Sequence, residues 1–158
     1  STAAGVFRYV PPTTPQGAWD VTCLLVQPTS DIVATVFDGD GKLEILTFSK
    51  FHGDTLAIWH EGQTRDRYEQ VWCDPQKRSF LHALWAADLN GEKCAVIGNR
   101  KDGRDLLLVR YVDGEYTVDV IDHDLGPANC MVYRHDGSDY IVAAYRETDQ
   151  LALYKVVE

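Results

Sequence analysis

The chain has 158 residues, enough for one domain with a sizeable core, and 45% of them are hydrophobic, which sets it apart from disordered chains. A formal net charge of −9, with no run of lysines and arginines, excludes the basic surface that general nucleic-acid or anionic-membrane binding requires. No stretch approaches the ~20 apolar residues of a membrane-spanning helix.

From the N-terminus onward, short runs rich in Val, Ile, Leu and aromatics alternate with Gly, Asp and Asn, the pattern of strands joined by tight turns. Strands are predicted at 6–10 and 18–25, then at 32–37, 43–49, 55–60 and 67–73. The next set falls at 82–88, 93–99, 105–111 and 115–121, and the last at 129–134, 139–145 and 151–156. No window carries a sustained helical stripe with capping residues.

These runs repeat. Leu56-Ala57-Ile58-Trp59 followed by Val71-Trp72-Cys73 matches Val6-Phe7-Arg8-Tyr9 followed by Val21-Thr22-Cys23, an offset of 50 residues that carries Tyr9 onto Trp59 and Cys23 onto Cys73. Further copies begin at Leu106-Leu107-Leu108-Val109 and at Leu151-Ala152-Leu153-Tyr154. With four strand positions a, b, c and d per period, the order is c-d, a-b-c-d, a-b-c-d, a-b-c. Four antiparallel strands per repeat of ~40–50 residues define a β-propeller blade. A β-sandwich would explain the strand spacing but not the internal similarity.

The predicted fold is therefore all-β, a single partial propeller domain over 1–158 with blade phases 6–25, 30–73, 80–122 and 128–158. About three blades' worth of strands falls short of the roughly four to eight that close a ring. One resolution is self-association, a head-to-tail dimer closing about six blades in which the strand around 19–23 finishes the partner's last blade. The other is that the chain is part of a longer propeller. The four cysteines lack CxxC spacing, and Cys23 and Cys73 sit at equivalent repeat positions, too far apart to bond. Free buried thiols are expected, which favours a reducing, cytoplasmic compartment.

The a–b hairpins read Asp38-Gly39-Asp40-Gly41-Lys42, Asp88-Leu89-Asn90-Gly91-Glu92 and His135-Asp136-Gly137-Ser138-Asp139. In these loops and in its repeat the chain resembles FG-GAP/VCBS-type propeller repeats, which implies calcium held by hard oxygen ligands in an a–b loop. The candidate ligands are Asp38, Asp40 and Glu44. The same Asp, Asn and Gly residues also serve plain hairpin geometry.

The segment Ser79-Phe80-Leu81-His82-Ala83-Leu84-Trp85-Ala86-Ala87-Asp88-Leu89-Asn90-Gly91 resembles blades of the propeller portion of aldos-2-ulose dehydratase-like carbohydrate-active proteins. That resemblance implies a carbohydrate ligand and places His82, the candidate catalytic residue, at the inner, channel-lining end of strand a. Its counterparts in the neighbouring repeats fall near Ser30 and Ala128, so no histidine shell recurs.

On the face formed by the d–a and b–c loops, Lys50, Arg100 and Arg146 occupy equivalent positions. Such a ring would suit a carboxylate, phosphate or uronate ligand, with His52 and His123 nearby. Acids in the same loops, among them Asp105 and Glu147, would pair with these cations. Asp122-His123-Asp124 is a candidate acid/base cluster as well as a turn. The aromatic set Tyr9, Trp59 and Tyr154 is expected to pack between blades. No nucleophile elbow, phosphate-cradling glycine loop or HExxH is present. The expected function is a non-catalytic binding or interaction module with its site on the d–a/b–c loop face. The alternatives are a carbohydrate-active enzyme of the lyase or dehydratase type, and a structural unit that assembles into a complete propeller.

Overall fold

The computed structural model describes residues 4–49 and 53–157. Every regular element among them is a β-strand, and all strand pairs are antiparallel. β1 (Val6–Val10) and β2 (Asp20–Leu25) form a first, two-stranded sheet. β3 (Thr29–Thr35), β4 (Glu44–Ser49), β5 (Thr55–Glu61) and β6 (Tyr68–Cys73) form the second. β7 (Leu81–Leu89), β8 (Glu92–Asn99), β9 (Leu106–Val112) and β10 (Glu115–Asp122) form the third. β11 (Pro127–His135), β12 (Ser138–Tyr145) and β13 (Gln150–Lys155) form the fourth.

Local chemistry fixes the hairpins. Asn90-Gly91, Asp113-Gly114 and Asp136-Gly137 all take positive φ at both residues, the backbone that matches the twist of two-residue hairpins. Each sheet is thus a meander of sequential strands, with strand limits within a few residues of those predicted.

The sheets stack face to face in chain order. Along β4 and β5, side chains alternate between two neighbours: Ile45, Ala57 and Trp59 meet Val6 and Leu25 of the first sheet, while Leu46, Phe48, Leu56 and Ile58 meet Ile97, Leu107 and Val109 of the third. β8 and β9 repeat the arrangement. Ala95, Ile97, Leu107 and Val109 point back to the second sheet, and Cys94, Val96 and Leu106 point on to Cys130, Ile141, Ala143 and Tyr145 of the fourth. Because a strand's side chains alternate with a period of two, both faces of the inner strands are buried and their sequences read as continuous apolar runs. The first strands of successive sheets also approach one another, β3 beside β7 and β7 beside β11. There the third and fourth sheets come so close that a Cβ on Gly98 would lie 2.6 Å from Cγ of Pro127.

All four cysteines are free. Cys94 and Cys130 are buried as expected, and burial pushes their thiols up to about 11 and about 12. Cys23 is only half-buried and Cys73 exposed, because both lie on outer strands of their sheets. β2 is paired with β1 over its length, Val10 opposite Asp20 through Val6 opposite Leu25.

Leu46 makes no contact with solvent and joins the second sheet to the third. Leu46→Ala is expected to lower unfolding stability by about 2–5 kcal/mol, read from the urea midpoint at unchanged slope.

Candidate functional site

Two ends of the stack carry loops, and the sequence-derived candidates divide between them. At the end where the chain passes from one sheet to the next, all three first strands begin with the same irregularity. Register shifts lie between Thr29 and Asp31 in β3, between Leu81 and Ala83 in β7, and between Pro127 and Asn129 in β11. The extra residues are Ser30, His82 and Ala128, the three positions equated by the repeat. A β-bulge of this kind re-aims side chains at a sheet's end.

His82 uses its bulge to reach the neighbouring sheet: its Nδ1 lies 2.8 Å from the Ala128 carbonyl oxygen. A carbonyl only accepts, so Nδ1 carries the proton in this contact. The imidazole also lies parallel to the Phe80 ring, 6.1 Å between centroids. Phe80 itself takes φ of 61°, sparsely populated for a bulky residue, which turns its ring between His82 and the Arg100 guanidinium at 4.9 Å. His82 thereby links β7 to β11, where the first strands of the third and fourth sheets approach each other.

Arg100 is taken up locally. Its Nη2 donates to Glu147 Oε1 at 2.6 Å and its Nε to the same oxygen at 3.2 Å, a forked pair that holds the Glu147 carboxyl below its ordinary range. Arg146 is exposed and 3.9 Å from Glu147. Lys50 and His52 lie outside the described residues. His123 is exposed; its Nδ1 donates to Asp124 Oδ2 at 2.8 Å, and that hydrogen bond raises its pKa above the ordinary value. Arg100, Arg146 and His123 are thus taken up by neighbouring carboxylates, while Lys101 Nζ lies 5.2 Å from the Phe80 ring centroid.

Beneath them lies a buried charge cluster that sequence reasoning missed. Arg78 Nε donates to Asp74 Oδ2 at 2.9 Å, and its Nη1 lies 3.7 Å from Asp105 Oδ2. All three residues are buried. The cluster fastens the segment entering β7 to the β8–β9 loop. Only the i, i+4 spacing of Asp74 and Arg78 hints at it in sequence.

The opposite end carries the β3–β4 hairpin loop. Asp38 Oδ1 accepts the Asp40 N–H at 3.0 Å, and Asp40 Oδ1 accepts the Lys42 N–H at 2.7 Å. Each carboxylate therefore spends one oxygen on its own loop and directs the other at His60 of β5, whose Nε2 is 3.1 Å from Asp40 Oδ2 and 3.6 Å from Asp38 Oδ2. Glu44, the third residue of the predicted calcium set, is not in this cluster. Its carboxylate is fully buried, accepting the Phe37 N–H at 2.6 Å, the Asp38 N–H at 3.1 Å and the Tyr116 hydroxyl. A carboxylate with three donors satisfies itself inside the protein; His60, 16 residues further along, stands near the loop instead.

Two of the three aromatics expected to pack between blades lie between sheets. Trp59 is buried against the first sheet and donates from Nε1 to Thr47 Oγ1 at 3.0 Å. Tyr154 packs toward the third sheet and donates to Asp122 Oδ2 at 2.6 Å. Tyr9 is 60% exposed.

No protein-family model matches the chain, and no curated protein matches it.

Asp31, at the bulge that opens β3, still meets solvent, but partial burial raises its pKa above the ordinary 3.8, against the pull of the Ile32 N–H and His82. The folded chain therefore holds this proton more tightly than the unfolded one, a stabilisation present below about 3.8 and lost as pH rises through the higher folded-state value. Asp31→Asn keeps an acceptor for Ile32. Its urea midpoint should exceed that of the parent at about pH 7, and the gap should close as pH falls toward about 4.

Proposed function

We propose that the chain is a β-propeller interaction module whose sheets are blades, and that its two end faces are closed head to tail by a second copy of the same chain. One observation carries this reading. Positions that are buried between sheets inside the stack recur, exposed, on its two outer faces.

On the fourth sheet, Leu153 is opposite Val142 and Leu151 opposite Ala144. Their equivalents in the second sheet are Ile58 opposite Leu46 and Leu56 opposite Phe48. Leu56 and Ile58 are 0% exposed, whereas Leu151 is 80% and Leu153 60% exposed. On the first sheet, Tyr9 occupies the place of Trp59 and Tyr154, which both pack against the preceding sheet. Tyr9 faces solvent together with Phe7 and Val21, and the equally exposed Trp19 lies beside them.

The stack therefore presents a face built to meet a following sheet at one end and a face built to meet a preceding one at the other. A second copy supplies both, continuing contacts the chain already makes three times internally. Shapes agree as well. Phe7, Tyr9 and Trp19 are exposed at the first sheet, and an apolar groove of about 200 Å³ lies between Met131, Val142 and Ala144 of the last sheet and Trp85 of the third. Two chains joined at both ends bring eight sheets, four of them with the full four strands, against about four to eight blades in closed propellers. In this arrangement β2 keeps its pairing with β1. The ligand or partner site of such a module would be the bulged end around His82, Phe80 and the Arg100–Glu147 pair.

Each copy carries −9, so association opposes charge with apolar burial. The light-scattering mass should be twice 17.8 kDa, and the association should strengthen as salt is raised. Leu153→Lys or Tyr9→Lys should return the mass to one chain while leaving the fold intact. A mass of one chain for the parent across micromolar concentrations and salt would refute the proposal.

A further inference from the structure

We infer that Asp38, Asp40 and His60 form a binding site for a borderline divalent transition ion such as Zn²⁺, distinct from the all-oxygen calcium loop that the hairpin sequence suggests. The argument begins at the far side of the imidazole. His60 Nδ1 lies 2.7 Å from the Glu61 carbonyl oxygen, which can only accept, so Nδ1 bears a proton. In the neutral ring Nε2 is then a lone pair, and it points at two carboxylate oxygens.

With the ring neutral, three lone-pair atoms converge within 4.8 Å of one another, and an ion there takes the place of the proton that Nε2 would otherwise share with Asp40 Oδ2 at 3.1 Å. A cation between them satisfies all three at once. A tetrahedral centre with bonds of about 2.0–2.1 Å spaces its ligand atoms roughly 3.3–3.4 Å apart, and the distances from Nε2 to the two oxygens, 3.1 and 3.6 Å, bracket that spacing.

The surroundings fit the same reading. The Nδ1–H···O=C contact is the outer hydrogen bond that metal-binding histidines ordinarily make, fixing tautomer and ring orientation. The Oδ1 atoms of both aspartates are anchored to loop N–H groups, so the Oδ2 atoms are pre-positioned. Glu44, bonded to the N–H groups of Phe37 and Asp38, braces the loop from inside rather than adding a ligand. A nitrogen donor and only two carboxylates suit Zn²⁺, Co²⁺ or Ni²⁺ and fall short of the six to eight oxygens that calcium takes.

Three protein ligands leave one position to water or a small oxygen donor. Asp38 and His60 also line a cleft of about 420 Å³ walled by Trp72, Tyr111 and Tyr116, where such a ligand has room. The site rests on the second sheet and one loop, and therefore stands independently of whether the chain pairs with a copy.

The test is calorimetric titration of the protein with Zn²⁺ and Ca²⁺, alongside the visible absorption of the Co²⁺ form. One Zn²⁺ per chain is expected, in the associated parent and in the Leu153→Lys protein alike. Co²⁺ should give tetrahedral d–d bands without a sulfur charge-transfer band. His60→Ala should lose more than about tenfold in Zn²⁺ affinity, as should the exposed-loop variant Asp40→Asn, which also serves should His60→Ala not fold. Calcium binding as tight as zinc, absence of stoichiometric binding, unchanged affinity in both variants, or a sulfur–cobalt band pointing to Cys73 would each overturn the assignment.

Discussion

Everything in this structure depends on strands that bury both faces. A sheet in a two-layer protein hides one side and wets the other, whereas the inner strands here pack against a sheet in front and a sheet behind. The alternation of Leu46 with Ile45, or of Val96 with Ala95, divides each strand between two interfaces. Such a stack cannot stop without leaving apolar faces in water, and the first and last sheets show the cost: Phe7, Tyr9 and Val21 at one end, Met131, Leu151 and Leu153 at the other. The proposed pairing of copies is one answer to that constraint.

Strand order and limits were legible in the sequence because the apolar runs and their Asp-Gly and Asn-Gly turns recur at a fixed period. The bulges were half legible. Equating Ser30, His82 and Ala128 by the repeat found the three extra residues, though nothing in their chemistry announces an irregular ladder. The exposure of Leu151 and Leu153 was hidden, because their segment reads like the buried strands it repeats. Only the position of the last sheet at the end of the stack distinguishes them.

Charged residues were less readable. The loop acids expected near Arg100 were identified, and Glu147 takes that role, but Asp74–Arg78–Asp105 joins segments whose approach no spacing encodes. Glu44 lies apart from the loop acids that the sequence groups with it, and His60 stands beside them instead, for a physical reason. Glu44 begins β4 with its side chain turned into the sheet interface, where two N–H groups and the Tyr116 hydroxyl await an acceptor. His60, directly across the ladder from Glu44 on β5, has its ring at the Asp38 and Asp40 carboxylates. Cross-strand pairing, which brings these two residues opposite each other, is invisible in a linear motif.

The central claim is that the outer face of the last sheet and the outer face of the first are each other's partners. Replacing Leu153 with a photo-crosslinking residue such as benzoylphenylalanine and mapping the adducts by mass spectrometry tests it directly. The account predicts adducts between chains that fall on β1 and β2, at Phe7, Tyr9 or Val21 of the second copy. Adducts between two fourth sheets, or none between chains at concentrations where the protein is associated, would contradict it.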